Sequence, residues 1–169
     1  MYRTCLLFLL VLMNTQLQFV FASAVDTPDQ AYNEEQISRG LAVYKKSNCA
    51  FCHGWAGDGQ GHPRSPGAAA SLRNSQLDRE AMSYIIKCGV IGGAMPYHDR
   101  LAYRDDRCIA DPASLEKDSI PQKGKNISAK DLESLLIYLI SEVQGRGETS
   151  LEQCEAFYKP GSRNCQYLQ

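Results

Sequence analysis

The sequence predicts a mostly helical protein with a small core and long irregular connections. Three observations carry this. Segments with helical spacing of apolar residues recur along the chain, each with a capping residue at its start. No pair of segments alternates as two paired strands would. The run "GWAGDGQGHPRSPGAAAS", Gly54 to Ser71, is too rich in Gly and Pro for a long helix or strand.

The first helix is expected from about Glu34 to Lys46. Asn33 caps it, Glu34 and Glu35 favour its first turn, and Gln36 occupies the capping-box position. Ile37, Leu41 and Tyr44 repeat at helical spacing. Ser75 with Asp78 opens a second helix, with Leu77, Ala81, Tyr84, Ile85 and Cys88 as its face and Gly89 at its end. Asp99 to Lys125 has mixed charges, two prolines and no period, and reads as a long loop. Ser128 and Asp131 cap a third helix. Its stripe is Leu132, Leu135, Leu136, Leu139 and Val143, and Gly145 closes it. A short last helix spans about Ser150 to Tyr158. These stripes need something to pack on, and the apolar residues alone make a small core for so much irregular backbone.

The chain has 169 residues with a formal net charge of -1, which gives no basic excess for nucleic acid. Its N-terminus differs from the rest. "MYR" is a short basic start, "CLLFLLVLM" is apolar, and "QFVFASA" ends in small residues at alternate positions. This reads as a secretory signal peptide over residues 1–24, cut after Ala24. Asn14, Gln16 and Gln18 interrupt the apolar run, which argues against an uncleaved anchor. Cleavage would remove Arg3 and Cys5 and leave an even set of cysteines in an oxidising compartment.

The chemistry-bearing motif is "CAFCHG", Cys49 to Gly54. A structural zinc site needs four ligands, usually from two close pairs. Cys88, Cys108, Cys154 and Cys165 are scattered instead. A thioredoxin-like CxxC needs a preceding strand in a βαβ context. Here a helix precedes it. The third use of C-x-x-C-H is covalent attachment of haem c. Two cysteines reach the two vinyl groups of one ring, and the next residue, His53, becomes the proximal iron ligand. A large flat apolar group at the centre also resolves the shortage of core.

With these residues the chain resembles a class I monohaem cytochrome c of the exported, bacterial type. The resemblance covers roughly Glu34 to Val143. It rests on a first helix with Gly40 and Tyr44, "CAFCHG", "AMP", and a closing helix with Tyr138. It implies a mostly α, cytochrome c-like fold wrapped around one covalent haem c, with a long loop insertion and a disulfide-stapled C-terminal tail. The organisation expected is a signal peptide at 1–24, a cytochrome c domain at 25–144 and an extension at 145–169. The resemblance further implies cofactor binding by Cys49, Cys52, His53 and Met95, with His53 and Met95 on the iron. Met82, within a helix, is expected to pack. His62 and His98 are weaker competitors for the iron and are expected to be surface or hydrogen-bonding residues.

Of three possible pairings of the remaining cysteines, the simplest joins Cys88 to Cys108 and Cys154 to Cys165. The charges at Arg100, Arg104, Asp105, Asp106 and Arg107 could border a docking surface, although a solvated loop is the simpler reading. Asp105, Asp106 and Asp111 match no standard calcium loop.

The function expected is periplasmic one-electron transfer, not enzymatic catalysis, and no catalytic residues are assigned. Partners implied by the resemblance are redox proteins: a quinoprotein alcohol dehydrogenase as donor, and a terminal oxidase or another cytochrome as acceptor. Two alternatives stand beside this. One is a haem enzyme or gas sensor with a labile distal ligand. The other is a fixed electron-transfer subunit of a larger dehydrogenase complex.

Overall fold

The computed structural model describes residues 32–169. The expected signal peptide lies outside the described residues. Among the described residues five α-helices follow one another: α1 (Glu34–Lys46), α2 (Cys49–His53), α3 (Arg79–Cys88), α4 (Ala129–Tyr138) and α5 (Leu151–Phe157). A π-helical turn, Leu139–Val143, continues α4, and three 3₁₀ segments lie at Pro112–Ser114, Lys117–Ser119 and Arg163–Leu168. Among the described residues there is no strand; one isolated parallel bridge joins Tyr97 to Lys123.

Short polar side chains set the helix starts as expected. Asn33 accepts from the Glu35 amide, Ser128 from the Asp131 amide, and Ser150 with Gln153 closes a full capping box on α5. At α3 the cap is Asp78, which accepts from the Ala81 amide. Ser75 makes a local turn instead, accepting from the Leu77 amide.

The buried face of α3 differs from the sequence reading. Met82, Ile86 and Cys88 are buried, whereas Leu77 and Tyr84 are 41% and 46% exposed. Starting at Arg79, α3 leaves Leu77 ahead of its first turn and outside the face that it buries. Tyr84 then reaches sideways, and its hydroxyl donates to the Cys108 carbonyl. Met82 packs in the core, as expected of it.

The core lies where α1 meets α4 and the π turn. Val43, Tyr44, Leu135, Leu136, Tyr138, Leu139 and Val143 fill it, together with Met82 and Ile86 from α3. Burying these side chains is the main stabilising term for so short a set of helices. Gly40 of α1 faces the Ser134 carbonyl of α4, and the Tyr44 and Tyr138 rings lie 5.8 Å apart. The surface ion pair of Arg39 with Asp131, 2.9 Å, adds little by comparison.

Both of the simplest disulfides are present, Cys88–Cys108 and Cys154–Cys165. Closing loops of 20 and 11 residues restricts the unfolded chain by about 3 kcal/mol each. Cys88, Ala102 and Cys108 form a second, smaller core with Tyr97 and Tyr103 at its side. The tail beyond Gly145 packs on the helical body. The Gly145 amide donates to the Arg73 carbonyl at 2.9 Å. Phe157, Tyr158 and Tyr167, scattered in sequence, converge on Trp55: ring centroids of Phe157 and Tyr158 are 6.3 and 6.2 Å away, and the Trp55 indole donates to the Tyr167 hydroxyl at 3.2 Å.

Candidate haem-attachment site

α1 ends and α2 begins within two residues. Asn48 makes this possible by taking the left-handed conformation, φ 67°, which Asn tolerates better than most residues. Cys49 and Cys52 then stand one helical turn apart on α2, with His53 as its last residue. Gly54 follows at φ 79°. A side chain there would be strained and would also meet the Gln60 carbonyl at 2.8 Å. The buried Tyr44 hydroxyl donates to the Gly54 carbonyl at 2.7 Å, fixing the end of α2 to α1.

The glycine-rich loop folds back over this short helix. The His62 amide donates to the Phe51 carbonyl at 2.7 Å and the Gly59 amide to the His53 carbonyl at 2.9 Å. Leu72 and Arg73 amides both donate to the Gly57 carbonyl. Gly61 is pressed onto α2: a Cβ would fall 2.7 Å from the Cys52 carbonyl carbon. These bonds supply the order that the loop's own sequence lacks.

His53 is oriented by the same loop. Its Nδ1–H donates to the Ala70 carbonyl at 2.9 Å. This commits one ring nitrogen and leaves Nε2 with its lone pair. Burial pushes the imidazole below its ordinary value, against a smaller opposing effect of the Ala70 bond. The ring is therefore neutral at pH 7, the form that binds metals.

Cys49 and Cys52 are unpaired, while the other four described cysteines are in disulfides. Burial pushes the Cys49 thiol up to about 12. A thiol redox centre needs a lowered value, so the pair is poorly suited to disulfide exchange. Among the described residues no group of three or more His, Cys, Asp or Glu could hold a metal ion together.

Met95 lies on the turn after α3 and is half-buried against the same core as Cys49. Leu72, Ile127, Leu132 and Ile140 are also half-buried on that core. These side chains come from the end of the glycine-rich loop, the segment before α4, α4 itself and the π turn. The chemistry present fits a haem: two free thiols, a neutral imidazole held at one nitrogen, a thioether and an apolar surround.

The other histidines take the places expected of them. His62 is exposed and stacks on Phe51, 5.3 Å between centroids. His98 is 5% exposed and its Nδ1–H donates to the Lys125 carbonyl at 2.7 Å. Asp105 is taken by Arg107, which also bonds Asp99.

One residue near the site had no sequence signal. Arg73 is only 6% exposed. Its guanidinium donates to the carbonyls of Ala56, Arg146, Gly147 and Glu148 and to Gln153 Oε1. No carboxylate pairs with it. It joins the glycine-rich loop to the tail through neutral oxygens, and neither period nor motif marks it.

The fold is a small helical domain whose α2 carries the C-x-x-C-H spacing of a haem c attachment motif. Residues 35–113 match the family model described as cytochrome C oxidase, cbb3-type, subunit III, which is just under half of the chain. This match supports a class I-like monohaem cytochrome c. No curated protein and no solved structure matches it. The family match ends before α4 and the tail.

Proposed function

We propose that this protein is an exported, periplasmic one-electron carrier with a single haem c, attached through Cys49 and Cys52 and ligated by His53 and Met95. The observation that carries this reading is the donor set on α2. Two thiols stay free in a chain that pairs its other described cysteines, and they lead directly into a neutral histidine with one nitrogen already committed. The haem would supply the ferric/ferrous couple.

The chain's own part is to hold and to exclude. The Ala70 carbonyl keeps His53 in one tautomer and one orientation. Tyr44 ties the end of α2 to α1, so the ligand does not move with the loop. Pro96 fixes the backbone beside Met95. Half-buried apolar side chains on the core that Cys49 and Met95 share, Leu72 and Ile140 among them, would help to keep water from the group. With His53 and Met95 as its ligands, the haem would have a raised potential and would offer no open position. This favours electron transfer over small-ligand chemistry, so the protein is read as a carrier and not an enzyme. Redox proteins are its partners, with a quinoprotein dehydrogenase as donor and an oxidase or second cytochrome as acceptor.

The test is the visible spectrum of the purified exported protein, oxidised, reduced, and reduced with carbon monoxide. A c-type spectrum, a weak far-red band when oxidised and no carbon monoxide shift are expected. A carbon monoxide shift in the native protein would transfer the assignment to a haem enzyme or sensor. Absence of haem, from a host able to attach it, would overturn the reading.

A further inference from the structure

The turn bearing Met95 is held on two edges by different parts of the chain. On one edge it lies along the end of α3. The Val90 amide donates to the Met95 carbonyl at 3.2 Å, and the His98 amide to the carbonyls of Ile86 and Lys87 at 3.2 and 3.1 Å. Gly89, φ 68°, sits so close that a Cβ would lie 2.7 Å from the Met95 oxygen and 2.9 Å from both Pro96 C and Tyr97 N. On the other edge lies the insertion. The Tyr97 amide donates to Gln122 at 3.0 Å, the Gly124 amide to Tyr97 at 2.8 Å, and the Gly92 amide to Ser119 at 2.7 Å.

The two edges are locked together beneath the turn. Cys88, the last residue of α3, is crosslinked to Cys108 of the insertion. Two tyrosines brace the crosslink from opposite sides. Tyr103 donates to the Cys88 carbonyl at 2.7 Å, and Tyr84 donates to the Cys108 carbonyl. Tyr97, two residues beyond Met95, packs its ring edge-on to Tyr103 at 5.4 Å, and Ala102 between them is wholly buried. Met95 packs on the main core, while Tyr97, two residues on, packs on this second core.

We propose that the Cys88–Cys108 crosslink and its two tyrosines form a clamp that sets how firmly Met95 stays on the iron. The inference rests on Met95 as the second axial ligand. A thioether is a weak ligand, so its residence depends on how much freedom its turn has when it leaves. The crosslink closes the insertion against α3 and restricts that freedom. Opening the clamp converts a closed carrier into a haem that admits outside ligands. The insertion is thus a positioning device for Met95, and the tail crosslink Cys154–Cys165 has no part in it.

The experiment compares three exported holoproteins: wild type, C88A/C108A and the control C154A/C165A. Carbon monoxide binding to the reduced form and amide hydrogen exchange at Val90, Tyr97 and Gly124 are measured on each. Both rates are expected to rise about tenfold in C88A/C108A, the change that about 1.4 kcal/mol of lost support produces, and to stay at wild-type values in the control. Equal effects in both variants, or none in C88A/C108A, overturn the clamp. If C88A/C108A does not accumulate, Tyr103→Phe keeps the crosslink and removes one brace. Faster exchange and faster carbon monoxide binding there support the clamp, and unchanged rates overturn it. A wild type without the far-red band removes Met95 from the iron and overturns its control by the clamp. Exchange at Val90 and Tyr97 then still reports whether the brace orders the turn, so the two failures are distinguishable.

Discussion

Gly40 of α1 lies against Tyr138 of α4 with no room for a single added carbon. A Cβ at Gly40 would stand 2.5 Å from Tyr138 Cβ and closer still to the Ser134 carbonyl oxygen. The absence of a side chain is what allows the two helices to cross at this distance and places the Tyr44 and Tyr138 rings in contact.

Gly40→Ala therefore pushes the helices apart. Helix propensity gives back under about 1 kcal/mol for a Gly to Ala change. Overpacking against backbone, which cannot rotate away, costs about 2–3 kcal/mol. The net expectation is a destabilised protein whose melting temperature falls by several degrees. Calorimetry checks this. A more stable variant would mean that the helices part at little cost.

Arg73 makes the second prediction. It is a buried cation whose partners are four carbonyls and one amide oxygen. Arg73→Met leaves those acceptors without a donor and is expected to cost about 3 kcal/mol. The loss falls on the tail. Limited proteolysis should cut the variant after Gly145 well before the wild type is cut. Arg73→Lys restores the charge but not the fork of donors and should recover only part of the difference.

How far the sequence carried the fold is instructive at these two positions. Gly40 and Tyr138 are legible only through the family resemblance, and Tyr44 also through its helical spacing with Ile37 and Leu41. The caps at Asn33 and Ser128 were visible because local hydrogen bonding decides them. The face of α3 was not, since Leu77 lies ahead of its first turn and only tertiary packing selects which of its residues are buried. Arg73 and the gathering of Phe157, Tyr158 and Tyr167 on Trp55 were invisible for a related reason. Their partners lie far away in the chain and include backbone carbonyls, which no sequence pattern records. At the site itself, Cys49, Cys52 and His53 announce their chemistry by spacing. The Ala70 carbonyl that orients His53 does not.

The third prediction concerns acid. Burial holds the His98 imidazole below its ordinary value of 6.5, against the opposing bond to the Lys125 carbonyl. The folded chain thus binds less proton at this site than the unfolded chain. Its contribution to stability is complete above about pH 6.5 and is lost as the pH falls through that value towards the depressed folded one. Asp131, held below 3.8 chiefly by Arg39, acts in a separate and more acidic window. Replacing His98 by Asn keeps a donor for Lys125 and removes the titration. Urea midpoints between pH 7 and 5 should fall less steeply in His98→Asn than in the wild type. Equal slopes would show that His98 does not contribute.

The last prediction separates the two proposed axial ligands. Met95→Ala removes the thioether and leaves the α2 donor set intact, so covalent haem should still be attached. The far-red band should vanish, the reduced form should bind carbon monoxide, and the midpoint potential should drop, within the range of roughly 0.8 V that axial ligation sets. Met95→His replaces the weak ligand with a stronger one. It should also lose the far-red band and lower the potential, but it should exclude carbon monoxide. The contrast depends on Met95 being on the iron. If both variants keep the wild-type potential and spectrum, Met95 only packs against the core that it shares with Cys49, and the second ligand must come from elsewhere. His98 is then the nearest alternative in sequence, and it would have to give up its bond to the Lys125 carbonyl to serve.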